Sequence, residues 1–229
     1  MKSFLFCVFL LCFTSYSYDV YAFHYSSDRI ERYVNKTPRK YENNISTLVS
    51  FLVKPLDDDY DKAKAIAFWI ASRINYDEYL YNNGGATKLR NKYKGQSPKE
   101  LIKSRVGICG DFAELFKEMC KKAGIKAYYV TGYTYPDGVR LTSKVKENSG
   151  HAWNYFVYKG KKIYVDTTFM AKGTTGVRGR ANNLNRNRAL KQIKRENKRK
   201  SEINEFDEFY FDFNYKEETK KRKYKRVEK

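Results

Sequence analysis

The stretch Gly107-Ile108-Cys109-Gly110-Asp111 decides the fold, because a helical pattern begins immediately after it. Apolar residues then recur at steps of three and four, and Gly124 follows as a helix-terminating residue: Phe112, Leu115, Phe116, Met119 and Ala123. The pattern predicts a helix with Cys109 in its first turn. The free amides and partial positive charge at a helix N-terminus stabilise a thiolate and can hold an oxyanion.

Two further residues fit this thiol as catalytic partners. The chain has two histidines, and His151 lies in the strand-like run 151–158, whereas His24 lies near the predicted start of the mature chain. Asp166 closes the next strand-like run, 162–166. If Lys159 and Gly160 form a two-residue hairpin loop, His151 faces Thr168, and Asp166 is its diagonal neighbour on the same face of the sheet.

Each residue also has a plainer interpretation. A cysteine at a helix start is often a small buried residue, a lone histidine is often structural, and an aspartate at a strand end is often a cap. Their combination favours catalysis. Cys109 would attack a carbonyl as a thiolate, His151 would carry the proton, and Asp166 would orient the imidazole, with a thioester as the first product.

These motifs, with His151-Ala152-Trp153-Asn154, the run 164–168 and the helical segment 68–77, resemble the transglutaminase-like superfamily. The resemblance is strongest to the bacterial branch similar to kyphoscoliosis peptidase and runs from about Ala63 to Thr168. It implies an α+β, papain-like fold, with the cysteine on a central helix packed against an antiparallel sheet that carries His and Asp. It also implies a triad of Cys109, His151 and Asp166.

The resemblance leaves the reaction open. A cysteine protease or amidase acting on proteins or peptides is favoured, and the alternatives are a protein-glutamine transglutaminase and a non-catalytic envelope binding module. In related enzymes a residue upstream of the cysteine completes the oxyanion hole, and Trp69, Tyr76 and Tyr81 are candidates. Trp153 and Asn154 are expected to pack and hydrogen-bond around His151.

The N-terminal part of the chain predicts export. Residues 1–22 read as a signal peptide, with Lys2, an apolar run too short to span a membrane, and a small-residue cleavage site at 20–22. Cleavage would leave a secreted or periplasmic protein without a transmembrane segment. It would also leave two cysteines, Cys109 and Cys120, which are too far apart on one helix for a disulfide.

The rest of the chain divides into three parts. Residues 23–43 are predicted to be an N-terminal lead-in, and residues 44–173 the transglutaminase-like catalytic domain. In that domain Asp57, Asp58 and Asp59 cap an amphipathic helix ending near Asn75, and Ser97-Pro98 starts a short one.

Residues 174–229 form a basic, partly flexible C-terminal extension. Its basic segment, 174–200, carries ten Lys and Arg against one acidic residue, in a chain of net charge +20. This charge is expected to attract an anionic envelope polymer or a membrane surface, not a specific nucleic acid. Residues 205–215 are expected to return to the domain as a strand. No motif predicts a cofactor or a metal ion.

Overall fold

A computed structural model describes residues 24–78, 80, 95–134, 142, 150–173, 188, 191, 195, 203–221 and 224–226. The predicted signal peptide, Tyr81 and most of the basic segment 174–200 lie outside the described residues. None of the described helices is both long enough and apolar enough to cross a membrane.

The described chain begins with three successive helices, and three successive strands follow the helix that starts at Cys109. The helices are α1 Ser27–Asn35, α2 Ile45–Val53, α3 Asp59–Arg73, α4 Pro98–Ser104, α5 Cys109–Lys122, α6 Thr167–Met170 and α7 Tyr215–Lys221. Short 3-10 turns occupy Arg39–Tyr41 and Glu208–Tyr210. The strands are β1 Asn75–Tyr76, β2 Val106–Gly107, β3 Ala127–Tyr133, β4 Gly150–Tyr158, β5 Lys161–Val165 and β6 Lys225–Arg226.

Helix α5 packs against a four-stranded antiparallel sheet in the order β5-β4-β3-β6. Four large residues of the predicted apolar stripe are fully buried: Phe112, Leu115, Phe116 and Met119. At the far end of α5, Gly124 adopts φ +80° and the Ile125 amide donates to the Cys120 carbonyl, which closes the helix as predicted. The described part of the chain therefore has the predicted α+β arrangement.

Helix α3 supports α5 from the other side. Its N-cap is Asp58, whose carboxylate accepts the Tyr60 amide, as the three aspartates predicted. The expectation of an amphipathic helix is wrong, because α3 is buried around nearly its whole circumference, with Ile66, Phe68 and Trp69 fully enclosed. Elements α1, α2, α5 and α6 pack around it. A helix surrounded in this way loses the polar face that an amphipathic pattern assumes.

Residues 24–43 are more structured than a simple lead-in. Ile30 and Val34, one helical turn apart in α1, are buried and pack on α3. The segment ends at Glu42, which is also buried, and its carboxylate pairs with Arg73 (Nε–Oε1 3.1 Å) and Arg105 (Nη2–Oε2 3.3 Å). Burial lowers the pKa of Arg105 to about 10, against the opposing charge of Glu42. This segment is therefore part of the core.

The chain after 203 also returns to the domain, though not as the predicted continuous strand. Phe206 and Phe211 make isolated bridges to Ala171 and Val165, with the 3-10 turn between them. Strand β6 then pairs with β3, so the last described residues extend the sheet. Within the basic segment the structure describes Arg188, Lys191 and Arg195, which are helical and exposed.

Candidate active site

Cys109 is the first residue of α5 and is partly exposed. The backbone before it is extended at Ile108, the N-cap, and the helix begins in the next residue. The buried Asp111 carboxylate holds this entry, since Oδ2 accepts the Ile108 amide (2.9 Å) and Oδ1 accepts the Gln96 amide (2.8 Å). The thiol therefore lies at the predicted helix N-terminus, and the hydrogen bonds of Asp111 fix the loop that leads to it.

There is no room for a side chain at position 107, at the beginning of this loop. A methyl group at this position would lie 2.7 Å from Leu101 Cδ1 and 2.9 Å from Asp111 Oδ2, both closer than van der Waals contact permits. Strand β2, which contains Gly107, pairs in parallel with β1, and the Asp77 amide donates to the Gly107 carbonyl. The absence of a side chain therefore lets the backbone approach the Asp111 carboxylate that caps α5.

His151 and Asp166 lie in contact across the hairpin. Lys159 and Gly160 both have positive φ (47° and 76°), and Tyr158 pairs with Lys161, which is the predicted two-residue loop. The Asp166 Oδ2 atom lies 2.6 Å from His151 Nε2. The expected pairing of His151 with Thr168 is wrong, because β5 ends at Val165 and Asp166 instead caps α6.

The Asp166 carboxylate is fully buried and accepts four hydrogen bonds. Its Oδ1 atom accepts the amides of Thr168 (3.1 Å) and Phe169 (3.0 Å) at the start of α6. Its Oδ2 atom accepts the Tyr224 hydroxyl (3.0 Å) in addition to the imidazole. A buried carboxylate with this number of donors is satisfied and has a fixed orientation.

The His151 imidazole is enclosed and faces the thiol. It stacks between Phe169 (ring centroids 4.5 Å) and Trp153 (5.9 Å), and it makes a side-chain hydrogen bond with Cys109. Since Asp166 occupies Nε2, Nδ1 is the ring nitrogen left for the thiol. Burial lowers the pKa of His151, but the charge and hydrogen bond of Asp166, then those of Cys109, outweigh burial and raise it to about 10. The arrangement therefore favours an imidazolium.

The other thiol of the described chain is in a different environment. Cys120 is fully buried on α5, and as expected it forms no disulfide with Cys109. Burial, helped by the charge of Asp59, raises the pKa of Cys120 well above the usual range. Cys120 is therefore an unreactive internal reference for Cys109.

A cavity of about 270 Å³ opens beside the imidazole, and it is lined by Tyr76, Thr134, Gly150, His151, Thr168, Phe169 and Ala171. Thr168 Oγ1 is buried and has no hydrogen-bond partner among the described residues. The cavity can receive a small, mainly apolar group next to His151.

The three candidates for the second oxyanion donor differ in position. Trp69 is fully buried and donates its Nε1–H to Glu42 Oε1 (3.2 Å), so its indole is engaged away from the site. Tyr81 lies outside the described residues. Tyr76 lines the cavity beside His151 and packs against Phe112 of α5. Tyr76 is therefore the candidate that the geometry favours.

Trp153 and Asn154 occupy opposite faces of β4. Trp153 stacks on His151 as expected. Asn154 does not bond to the imidazole, because successive residues of a strand point to opposite faces. Its Nδ2 atom instead donates to the carbonyls of Ala113 (3.0 Å) and Tyr128 (3.1 Å). Asn154 therefore fastens the sheet to the helix that carries Cys109.

Sequence reasoning missed three residues around the site. Asp111 could have been found, since an acid three residues after a helix N-cap is a capping spacing. Tyr129 has its hydroxyl beside Gly110, and burial followed by the charge of Cys109 raises the pKa of Tyr129 to about 12, so it stays a neutral donor. Tyr224 carried no signal, because it lies in a lysine- and arginine-rich run far from any motif.

The sequence has detectable similarity to known proteins. A sequence profile described as the transglutaminase-like superfamily matches residues 46–167, more than half of the chain. Kyphoscoliosis peptidase is 28% identical over 128 residues in Mus musculus and 27% identical over 142 residues in Homo sapiens. The matched segments cover 56% and 62% of this chain but 18% and 20% of those proteins, so the chain spans about a fifth of their length.

The solved structures that match the chain do so with low sequence identity and TM-scores below 0.5. A structure described as a TGase superposes with a TM-score of 0.44 at 17% identity, and the match covers 72% of this chain and 38% of that one. The periplasmic domain of TgpA from Pseudomonas aeruginosa gives 0.41 at 18% identity, with coverage of 62% and 48%.

Proposed function

The chain belongs to the transglutaminase-like superfamily, and its fold is papain-like α+β; from this membership we propose a cysteine enzyme that acts on amide bonds of proteins or peptides. The observation that carries the proposal is the chain of contacts from Asp166 through His151 to Cys109 at the start of α5. We assign Cys109 as nucleophile, His151 as general acid and base, and Asp166 as the group that orients the imidazole.

The proposed reaction has two steps. The Cys109 thiolate attacks the carbonyl carbon, the C–N bond breaks, and the imidazolium of His151 gives its proton to the leaving amine. Water then attacks the thioester while His151 takes one of its protons, the C–S bond breaks, and the step releases the carboxylic acid and restores the Cys109 thiolate beside the His151 imidazolium. The first amides of α5 are the proposed oxyanion donors, and Tyr76 is the proposed second contributor.

We favour hydrolysis over transfer because the mammalian relatives with matching segments are named peptidases. The second candidate is a transglutaminase, in which an amine takes the place of water and attacks the thioester. The cavity beside His151 supports this second candidate, because an acceptor there would lie next to the base that must remove its proton.

The signal-like residues 1–22 support a secreted or periplasmic location for this enzyme. The basic excess supports contact with an anionic envelope polymer or membrane surface through the C-terminal extension, where Arg188, Lys191 and Arg195 are exposed.

The reaction type is tested with casein as a probe substrate, with and without a biotinylated primary amine, followed by mass spectrometry of the products. We expect cleaved peptides or deamidated glutamines in both samples, and a Cys109-linked acyl adduct after an acid quench. Biotin attached at glutamine would instead identify the transglutaminase. If the products match those of Cys109→Ala under every condition, the chain is a binding module or casein is not a substrate, and the reactivity of Cys109 separates these two cases.

The raised pKa of His151 makes a separate prediction about pH. The chain has two histidines, so an NMR titration resolves His151 from His24. We expect a midpoint near pH 10 for His151, and a midpoint at least about one unit lower in Asp166→Asn, because the opposite charge is lost. The stability contributed by protonated His151 is fully present below its unfolded pKa of about 6.5 and is lost as pH rises through about 10.

The control for this titration is Asp58→Asn, the same chemical change 3.6 Å from the other histidine. It should leave the His151 midpoint in place. An unchanged midpoint in Asp166→Asn would show that the carboxylate does not hold the imidazolium.

A further inference from the structure

Tyr224 reaches the candidate triad from outside the family match, which ends at residue 167. Its hydroxyl donates to Asp166 Oδ2 (3.0 Å), the same oxygen that lies 2.6 Å from His151 Nε2. The other carboxylate oxygen is held by backbone amides at the start of α6. Tyr224 is therefore the one side chain besides His151 that is seen to bond to the carboxylate among the described residues.

The register of the sheet brings Tyr224 to this place. Strand β6 begins at the next residue and pairs with β3, where Arg226 is opposite Gly132 and Lys225 is opposite Tyr133. Gly132 is in turn opposite His151 on β4. Strand β6 therefore lies at the edge of the sheet at the level of the imidazole, and the residue before it lies at the site.

The Tyr224 ring is buried among other aromatic side chains. It is 3% exposed and packs edge-on to Trp153 (ring centroids 5.1 Å) and against Phe213 (5.2 Å). Trp153 stacks on the other side against His151. The Tyr224 ring also lies 6.3 Å from the imidazole (ring centroids), so Tyr224 packs against the site as well as bonding to Asp166.

We propose that Tyr224 is a positioning residue for the triad, through its hydrogen bond to Asp166 and its ring contact with His151. This inference rests on the proposed function. Backbone amides hold Oδ1 of the Asp166 carboxylate, but Oδ2, which contacts the imidazole, needs a second donor of its own to keep its position. The hydroxyl supplies that donor, so the imidazole keeps Nδ1 toward Cys109. The C-terminal segment would then complete the active site that residues 46–167 only begin.

The test uses Tyr224→Phe in the full chain, which keeps the ring and removes the donor. At pH 5 we expect iodoacetamide to label Cys109 roughly fivefold more slowly than in the wild type, since the imidazole is less well oriented toward the thiol. We also expect the His151 Nε2–H proton, slow to exchange with solvent in the wild type, to broaden in the NMR spectrum. A purely structural role would move neither signal.

The matched control is Tyr33→Phe, which removes a hydroxyl that donates to the Phe51 carbonyl (2.6 Å) away from the site. It should lower the urea midpoint by an amount similar to Tyr224→Phe without slowing the labelling of Cys109. Wild-type labelling rates and an intact Nε2–H signal in Tyr224→Phe would overturn this inference and leave the proposed function standing. Slow labelling in the wild type itself would overturn both.

Discussion

Replacing His151 by alanine is expected to lower turnover at least about a thousandfold, and Cys109→Ala is expected to do the same. The double variant should be no slower than either single one, because the two side chains act as one unit in the proposed mechanism. Turnover is measured with the substrate found in the casein experiment. Additive losses in the double variant would show that the two residues act independently. The ion pair of the Cys109 thiolate and the His151 imidazolium would then not be the catalytic unit.

The His151→Ala variant also allows a test that needs no substrate. At pH 5 an ordinary thiol is only about 0.03% ionised, whereas a thiol paired with an imidazolium stays reactive. Allowing for the lower nucleophilicity of such a thiolate, His151→Ala should slow alkylation of Cys109 by roughly thirtyfold.

Two comparisons make this labelling result decisive. His24→Ala removes the other histidine of the chain and should leave the rate unchanged. Cys120, fully buried and with a raised pKa, should stay unlabelled in every folded variant and reports any unfolding. Equal labelling of Cys109 in the wild type and in His151→Ala would exclude the ion pair.

The largest expected effect on stability belongs to Glu42. Substitution by glutamine keeps the size of the side chain but leaves the buried Arg73 and Arg105 guanidiniums without their counter-charge. Breaking a buried ion pair in this way costs about 3–5 kcal/mol of unfolding free energy. The urea unfolding midpoint measures the loss, and labelling of Cys120 reports the unfolded fraction.

Glu114→Gln is the matched control for that experiment. Glu114 pairs with Lys117 at 3.0 Å, but both side chains are more than 40% exposed. An exposed pair of this kind contributes at most about 1 kcal/mol. If Glu42→Gln unfolds at the same urea concentration as Glu114→Gln, the buried cluster does not stabilise the fold.

The buried ion pairs of Glu42 with Arg73 and Arg105 also affect the candidate active site. Arg105 ends α4 with a left-handed backbone (φ 60°) and lies two residues before Gly107, so its pairing with Glu42 anchors the start of the Cys109 loop. Loss of Glu42 should therefore reduce the reactivity of Cys109 along with the stability of the fold.

Local patterns explain what could be predicted. Three features depend on neighbouring residues alone: the apolar stripe of α5 that follows Gly107, the helix start at Ser97-Pro98, and the two-residue turn at Lys159 and Gly160. Such signals act over a few residues, and so they survive without knowledge of the fold. They were sufficient to predict that Asp166 and His151 share one face of the hairpin.

Errors arose where a distant segment changed the local environment. Helix α3 was predicted to be amphipathic, but four other helices cover it and its polar face disappears. Asp166 was predicted in a strand, yet it caps α6 because the chain turns directly after Val165. Asn154, expected beside His151, bonds instead to Ala113 and Tyr128 on the other face.

The sequence by itself thus determined the helix that begins at Cys109, the hairpin that joins His151 to Asp166, and the class of fold they imply. Only the tertiary structure decided that Glu42 pairs with Arg105 across 63 residues and that Tyr224 bonds to Asp166 across 58. The physical reason is that capping and periodicity are short-range interactions. The partner of a buried charge is instead chosen by which distant segments the packed core brings together, and no local pattern records that choice.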